Sequence, residues 1–450
     1  MNNATATLPS ASKAPSLKAP SLKDMAGAAK SDRNRAVDFY RAIAMLAVAL
    51  GHWAAISVGL DANGEITAGN ALEFAPSMSW TTWLFQVMPL FFVVGGFSSA
   101  MSLDSHFSKS DARPQDWIIA RLRRMVAPAI TLATTWAVLI IAGYATGMGA
   151  IIAAGATAAA IPLWFLSNYT IDTALAPFVL PRFRKNPALF AVVGLSVFGA
   201  LEALRFSEIP VLHHLAHLNW VLGWLLFQVA GFAWRDGLLP TGTKLAATAA
   251  ALWTAAVAAV TLGPWPTAMV HFPGLENSPT HPPSLALLLF GSAYSATALF
   301  FAPAISRFLS GKGAKNKKAW SAVVGANAIA MSVYLWHMTA AIAACAIMLG
   351  LGILPTADVG TAAWWIQKLP MFGIALVILV GIVAKVAKVE QKALLAPRMP
   401  WNGGMPSLFA AAAALSFTLK FWANGSITMA TICIAVLIGL WHGVLKTKAA

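Results

Sequence analysis

The sequence has few charged residues and almost no cysteine. Charged side chains make up 10% of the 450 residues and hydrophobic ones 58%, whereas a soluble domain typically carries about a quarter charged residues. Most of the surface must therefore face something other than water. The two cysteines, Cys345 and Cys433, lie inside apolar runs and form no metal or redox motif, so we interpret both as structural.

Long polar stretches are also missing, apart from a basic tail at the N-terminus. Residues 1–35 are rich in Ala, Ser, Pro and Lys, a composition that predicts a disordered cytoplasmic tail. The remainder is a series of apolar runs, and about 20 such residues suffice to cross a bilayer as a helix. We therefore predict an all-α, polytopic membrane bundle of about 12 helices. The predicted spans are 36–59, 81–101, 122–144, 161–180, 188–204, 217–234, 245–262, 284–306, 326–350, 364–386, 407–421 and 426–444.

The distribution of positive charge predicts the orientation of these spans. With the N-terminus inside, the cytoplasmic segments contain all Lys and Arg residues except Arg41, Arg205, Lys368 and Lys420. This partition follows the positive-inside rule and places both termini in the cytoplasm. The net charge of +15 then reflects topology and anionic membrane lipids rather than nucleic acid. We expect a multi-pass protein of the plasma (inner) membrane.

The first span contains ionisable residues, which are costly inside a membrane and therefore indicate function. Arg41 and His52 are eleven residues apart, so both project from one helix face, about 16 Å apart along the axis. Two simpler interpretations remain open. Arg41 can be an interface anchor that extends its charge to the headgroups, and His52 can be a hydrogen-bonded packing residue.

Five motifs make the chain resemble the acyltransferase-3 family of membrane-bound acyltransferases. An arginine and a histidine separated by ten residues in the first span are the first of these. The others, in chain order, are Met88-Pro89-Leu90-Phe91-Phe92-Val93-Val94-Gly95-Gly96-Phe97, Arg121-Leu122-Arg123-Arg124, Leu163-Trp164-Phe165-Leu166 and Tyr334-Leu335-Trp336-His337. Segments 219–237 and 263–283 resemble an actinobacterial cell-envelope branch of that family.

The resemblance implies a domain division and an activity. Residues 36–398 would form the ten-helix acyltransferase domain, and 399–450 would add C-terminal transmembrane helices. Members move an acyl group, usually acetyl, from acetyl-CoA to a hydroxyl of a sugar or lipid at the outer face. The expected partners are acyl-CoA, an envelope glycolipid or glycan such as a trehalose mycolate, and membrane lipids. No permanently bound cofactor or metal is expected.

The motif residues suit this chemistry. His52 can deprotonate the acceptor hydroxyl or briefly carry the acyl group, and Arg41 can hold the thioester carbonyl or a CoA phosphate. Arg121 and Arg124, one turn apart at the predicted cytoplasmic entrance, can bind CoA phosphates. The alternative for this pair is an ordinary topology signal. Gly95 and Gly96 favour close helix packing over close approach of a ligand.

Candidate acceptor-binding residues lie in the predicted outer segments. The segment around 263–283 contains His271, Glu276, Asn277 and His281, with a structured lid as the alternative role. Lys368 follows two tryptophans, which favours an interface anchor over contact with an anionic acceptor. The nearby His213, His214 and His217 lack a carboxylate or cysteine at ligand spacing, so we do not predict a metal site there.

Other polar residues carry weaker predictions. For His337 we favour hydrogen bonding in the core, with catalysis as the alternative, and the sequence suggests no role for Asp172 beyond pairing with a basic group. Near helix ends we expect two local ion pairs, Glu202–Arg205 and Arg235–Asp236. A transporter or flippase for an envelope precursor is the alternative function, although the two halves show no clear self-similarity.

Overall fold

The protein is described here from a computed structural model that covers residues 34–61, 63–395 and 404–424. Most of the predicted basic tail and the predicted span at 426–444 lie outside these residues. The described chain is almost entirely helical. Its longer helices are α1 (Arg35–Ala55), α4 (Met88–Phe107), α5 (Pro114–Ala145), α6 (Gly149–Ala160), α7 (Leu163–Lys185), α8 (Pro187–Leu204), α10 (Asn219–Arg235), α11 (Gly242–Leu262), α12 (Leu285–Ser310), α13 (Ala314–Gly350), α14 (Ala362–Leu395) and α15 (Met405–Asn424).

Short elements connect these helices on one side of the bundle. Strands β1 (Ile56–Leu60) and β2 (Ile66–Asn70) form an antiparallel hairpin directly after α1. The single turns α2 (Ala71–Phe74) and α3 (Thr82–Phe85) lead into α4, and α9 (Pro210–Leu215) leads into α10. The loop 263–284, called the outer loop below, joins α11 to α12.

Within the described residues, eight helices are long and apolar enough to cross a membrane. The pair α6 and α7, bent by 41° at a short break, is a further candidate. Helix α1 spans 21 residues, which is sufficient length, but its charged and polar side chains lower its hydropathy. A helical membrane protein with many spans is therefore confirmed, whereas the total of twelve and the location of the termini stay predictions.

Helix α1 has defined signals at both ends. The side chain of Asn34 caps its start by accepting hydrogen bonds from the amides of Ala36 and Val37, at 3.1 and 3.4 Å, which satisfies donors that the first turn leaves free. The helix ends where Ile56 adopts an extended conformation and enters the hairpin. Arg41 and His52 consequently lie on one uninterrupted helix, as the sequence predicts.

Helix α1 packs among α4, α12 and α13. The hydroxyl of Tyr40 donates to the carbonyl of Ala298 on α12. From α13, the amide of Asn327 donates to the carbonyl of Asp38 at 2.8 Å. These contacts from two later helices fix the rotation of α1 about its axis, and with it the direction of its functional side chains.

Helices α4 and α10 approach each other at backbone distance. A Cβ atom added to Gly96 would lie 2.0 Å from the carbonyl oxygen of Gln228, and one added to Gly231 would lie 2.0 Å from that of Val93. Each glycine therefore accommodates the backbone of the opposite helix. The packing role predicted for Gly96 agrees with this geometry, while a Cβ at Gly95 would meet only the side chain of Tyr169, at 2.9 Å.

Candidate active site

The central feature of the site is a direct pair of histidines from α1 and α13. The Nδ1 atom of His52 lies 2.8 Å from Nε2 of His337, and the two rings are parallel to within 4°. His337 has no exposed surface, whereas His52 is partly exposed. The ring of His52 is therefore accessible to a substrate, and the buried ring of His337 supports it from the core.

The hydrogen bonds around His337 assign the tautomers of both rings. Nδ1 of His337 lies 2.6 Å from the carbonyl of Tyr334, which can only accept, so this nitrogen carries a proton. Nε2 of neutral His337 is then an acceptor, and His52 must donate to it through Nδ1–H. This assignment follows from the network. It leaves Nε2 of His52 with a free lone pair, the form that a general base needs.

Backbone contacts hold this arrangement in place. The indole of Trp53, next to His52 in sequence, donates to the carbonyl of His337 at 2.9 Å. The hydroxyl of Tyr334 donates to the carbonyl of Pro162, just before α7. The histidine pair is thus connected to three helices, which restricts rotation of either ring.

Arg41 lies on α1, three turns before His52. Its guanidinium donates to the hydroxyl of Ser98 on α4 at 2.7 Å and pairs with the carboxylate of Asp38 at 3.4 Å. The side chain is 29% exposed, so part of the planar fork remains available. Arg41 therefore has partners within the bundle, which an interface anchor extended toward the headgroups does not need.

The two candidate donor-binding arginines lie on α5. The guanidinium of Arg121 lies 5.1 Å from the ring centroid of Trp117, and it interacts electrostatically with Arg124 and Arg41. Arg121 is partly exposed and Arg124 is exposed. Three cationic side chains from α1 and α5 therefore act on one region, an arrangement that favours a polyanionic ligand.

Lys368 lies on α14 and is 3% exposed. Its ammonium group donates to the carbonyl of Ala54 at 2.7 Å and to that of Ile56. It also lies 4.1 Å and 5.4 Å from the ring centroids of Trp364 and Trp365. The positive charge thus stabilises the carbonyl end of α1, two residues after His52.

The histidines of the outer loop pack on an aromatic surface. The rings of His271 and His281 are 4.4 Å apart, and His281 lies 4.8 Å from Trp220 and 6.4 Å from Trp164. Burial, with smaller effects of His271 and Lys420, lowers the pKa of His281 to about 3. At neutral pH this imidazole is uncharged, so it can hydrogen-bond to a sugar hydroxyl but adds no charge.

Glu276 and Asn277 are exposed at the tip of the same loop, and Asn277 has a positive φ of 47°. The loop itself is well anchored. Gln86 donates to the carbonyl of Met269 at 2.7 Å, and Arg205 donates to that of Ser278 at 3.1 Å. The outer loop is therefore a structured cover over the aromatic surface.

Two of the weaker sequence predictions concern ion pairs. Glu202 and Arg205 form the predicted pair at 3.2 Å. The predicted Arg235–Asp236 pair is wrong, because the partners come from other helices. Asp236 binds Arg184 at 2.7 Å, and Arg235 lies 3.8 Å from Asp104.

Asp172 has no basic partner among the described residues. It is fully buried on α7, and within that part of the chain neither carboxylate oxygen has a hydrogen-bond partner. In the described part of the chain, no group of three or more histidine, cysteine or acidic side chains has the arrangement of a metal site.

From the sequence a core hydrogen-bonding role is favoured for His337 over catalysis, and nothing there connects it to His52. The two residues are 285 positions apart, and no periodicity relates α1 to α13. The available signal was the motif Tyr334-Leu335-Trp336-His337, a histidine after an apolar run deep in a span. Its Tyr334 supplies the carbonyl that fixes the tautomer.

Comparison with known proteins gives one match. A family model described as an acyltransferase domain, that of the acyltransferase-3 family, matches residues 34–342. No curated protein and no solved structure matches the chain. The matched region contains the histidine pair and the three arginines, while Lys368 and α15 lie beyond it.

Proposed function

Because the chain belongs to the acyltransferase-3 family of membrane-bound acyltransferases, we propose that it transfers an acyl group, acetyl in the first instance, from cytosolic acyl-CoA to a hydroxyl of an envelope glycolipid or glycan. The observation that carries this proposal is the free Nε2 of His52 on a partly exposed ring, fixed by the hydrogen bond from Nδ1 to His337. Family membership provides the reaction class, and this nitrogen provides the base.

The proposed step is a direct transfer between the two substrates. Nε2 of His52 takes the proton of the acceptor hydroxyl while the hydroxyl oxygen attacks the thioester carbonyl. The tetrahedral intermediate then collapses, the carbon–sulfur bond breaks, and the CoA sulfur leaves with the proton from the imidazolium. During this step His337 accepts from Nδ1–H of His52, which stabilises the transient positive charge because the acceptor ring is neutral.

We assign the donor side to the cationic residues of α1 and α5. Arg121 and Arg124 would bind CoA phosphates, since a guanidinium gives charge-assisted hydrogen bonds to phosphate oxygens. Arg41 would reach either a phosphate or the thioester carbonyl. Its hydrogen bond to Ser98 and its ion pair with Asp38 orient the guanidinium before the donor arrives, which lowers the ordering cost of binding.

We assign the acceptor to the aromatic surface beneath the outer loop. His271 and His281, with Trp220 and Trp164 nearby, combine flat rings with hydrogen-bonding groups, a combination that suits a sugar. Glu276 and Asn277 would contact parts of the acceptor outside the loop. A trehalose mycolate is the acceptor we propose, on the resemblance to the cell-envelope branch.

The proposed activity is tested with purified full-length protein in detergent. Acetyl-CoA and an envelope lipid extract should together release CoA thiol, and mass spectrometry should find an acetyl increment on a glycolipid. Glycolipids from a deletion strain should lack the same increment. If CoA release does not depend on added acceptor, or if only a wall polysaccharide loses acetyl groups, the glycolipid assignment is wrong.

Replacing both Arg121 and Arg124 by alanine should raise KM for acetyl-CoA. Each lost charge-assisted contact costs about 1.5–3 kcal/mol, or about tenfold to a hundredfold in affinity. Acetyl-pantetheine, which lacks the nucleotide phosphates, should be used equally by the variant and the unmodified protein. The matched control is Arg113→Ala, at the residue just before the same helix, because Arg113 is exposed and its side chain pairs locally with Asp116 at 3.0 Å. An unchanged KM would show that Arg121 and Arg124 serve only as topology signals and do not bind the donor.

His337→Leu should lower kcat while leaving KM for acetyl-CoA unchanged, because the variant removes the acceptor that orients His52 but touches no phosphate site. His337→Gln retains a side-chain acceptor and should recover part of the lost kcat. Steady-state kinetics of the folded protein separate these outcomes. Equal kcat values for the two variants would show that His337 serves packing rather than orientation of His52.

A further inference from the structure

A cavity of about 640 Å³ lies between α7, the α9–α10 segment and α15. This volume is in the range of small-molecule binding sites. Ser167 on α7 and Ser416 on α15 share a hydrogen bond of 2.8 Å, which fixes two of its walls against each other. Trp220, which also contacts His281, is among the residues that line this cavity, and the other residues given a role above are not.

Most of the cavity wall is apolar and open. Ile171, Val211, Leu215 and Phe417 contribute to the lining, and Val211 and Phe417 expose 71% and 60% of their surface. In a membrane protein, such a wall can bind a hydrocarbon chain without depriving polar groups of the protein of their hydrogen bonds. The shape and lining thus suit the tail of an amphiphile.

One part of the lining is polar, and its positive charge is that of Lys420. His214 and His217 lie beside Lys420 in the lining, and no aspartate or glutamate is among its described lining residues. The ammonium of Lys420 lies 4.0 Å from the ring centroid of Trp220, a cation–π contact that positions the charge without neutralising it. The lining therefore has an uncompensated positive end.

The two histidines present their outer nitrogens to a ligand. Nδ1 of His214 lies 2.7 Å from the carbonyl of Pro210, and Nδ1 of His217 lies 3.3 Å from that of His214. A carbonyl only accepts, so each Nδ1 carries its proton. Nε2 then carries a lone pair, and it becomes a second donor only when the imidazole takes up a proton.

We propose that this cavity binds a lipid with a phosphate headgroup. The acyl chains lie along the apolar wall, and the phosphate accepts hydrogen bonds from Lys420. His214 and His217 donate to the phosphate through Nε2–H once each imidazole has taken up a proton, which a neighbouring phosphate favours. The combination of an apolar wall with the positive charge of Lys420 selects a phosphate attached to a hydrocarbon tail over free phosphate and over an uncharged lipid. Helix α15, which supplies Lys420, lies outside the region that matches the family.

The proposal is tested by direct binding to the full-length protein in detergent. Three probes separate the parts of the ligand: a short-chain phosphatidic acid, the corresponding diacylglycerol, and glycerol 3-phosphate. Native mass spectrometry should show binding of phosphatidic acid, with the other two at least tenfold weaker. If diacylglycerol binds equally well, the positive charge does not select the ligand. If glycerol 3-phosphate binds equally well, the apolar wall does not select it. No binding of phosphatidic acid would also overturn the proposal.

Variants then locate the bound lipid. Lys420→Gln should weaken binding of phosphatidic acid about tenfold to a hundredfold, because a charge-assisted contact is lost. Lys420→Arg should retain binding, since it keeps both the charge and the contact with Trp220. Lys244→Gln, at an exposed lysine on α11, is the control and should bind as the unmodified protein does.

A second variant makes the test independent of folding at position 420. His214→Gln combined with His217→Gln replaces two exposed side chains and should also weaken phosphatidic acid binding while leaving diacylglycerol unaffected. If neither this variant nor Lys420→Gln changes the affinity, the lipid binds elsewhere and the proposal is wrong. Acyl transfer is measured separately on the same samples, so a failure of one proposal does not obscure the other.

Discussion

Replacement of His52 by alanine should reduce acyl transfer per folded molecule by about 10²- to 10⁴-fold, the usual contribution of a general base. The side chain carries the only free basic nitrogen of the pair, since Nε2 of His337 already accepts from it. Alanine leaves the hydrogen bond from the Trp53 indole to the backbone of His337 unaffected. Loss of activity should therefore occur without loss of the inserted, folded protein.

The comparison requires activity and folding from the same sample. CoA release is divided by the amount of monodisperse protein, and a melting temperature is recorded for each variant. His106→Ala is the control, because His106 is partly exposed on α4 and its ring hydrogen-bonds to the backbone carbonyl of Arg113, at 2.9 Å. Activity of His52→Ala above about a tenth of the unmodified value is incompatible with a general base and would make His337 the next candidate.

Gly96→Ala should strongly destabilise the folded protein. The added methyl group would be placed 2.0 Å from the carbonyl oxygen of Gln228, and backbone atoms within a helix cannot rotate away as a side chain can. Helices α4 and α10 would have to separate, and Gly231 would lose its contact with Val93. Overpacking typically costs about 1–3 kcal/mol and occasionally more, and a clash with backbone belongs at the upper end.

Thermal unfolding in detergent measures this effect. Gly199→Ala is the matched control, because Gly199 is also helical and an added Cβ there has no atom within 4 Å. That variant should be neutral or stabilised by about 0.5–1 kcal/mol, the usual difference between glycine and alanine within a helix. Equal melting temperatures for the two variants would mean that the close contact of α4 and α10 does not exist.

Sequence reasoning succeeded where the relevant information is local to one helix. Apolar length predicts the helices, and the spacing of eleven residues predicts that Arg41 and His52 share a face of α1. The pair Glu202–Arg205 follows for the same reason, since residues three apart on a helix are neighbours. Each of these predictions needs only the period of the α-helix.

Sequence reasoning failed where two distant helices meet. The contact of His52 with His337 depends on how α13 is rotated and shifted against α1, which no local pattern encodes. The same limit explains the wrong pairing of Arg235 with Asp236. Adjacent residues on a helix point in different directions, and Asp236 instead meets Arg184 from α7.

The contact of Lys368 with the end of α1 bears on which residues a functional version of the protein must include. The family match ends at residue 342, yet the carbonyls of Ala54 and Ile56 are bound by a lysine from α14. A chain truncated at residue 342 would lack Lys368. The carbonyls of Ala54 and Ile56 would then lose the ammonium group that binds them, and α1, which carries His52, would lose this contact. Shortened or chimeric versions must therefore retain residues 362–395. A chain that ended with the matched region would omit α14, on which the position of His52 depends.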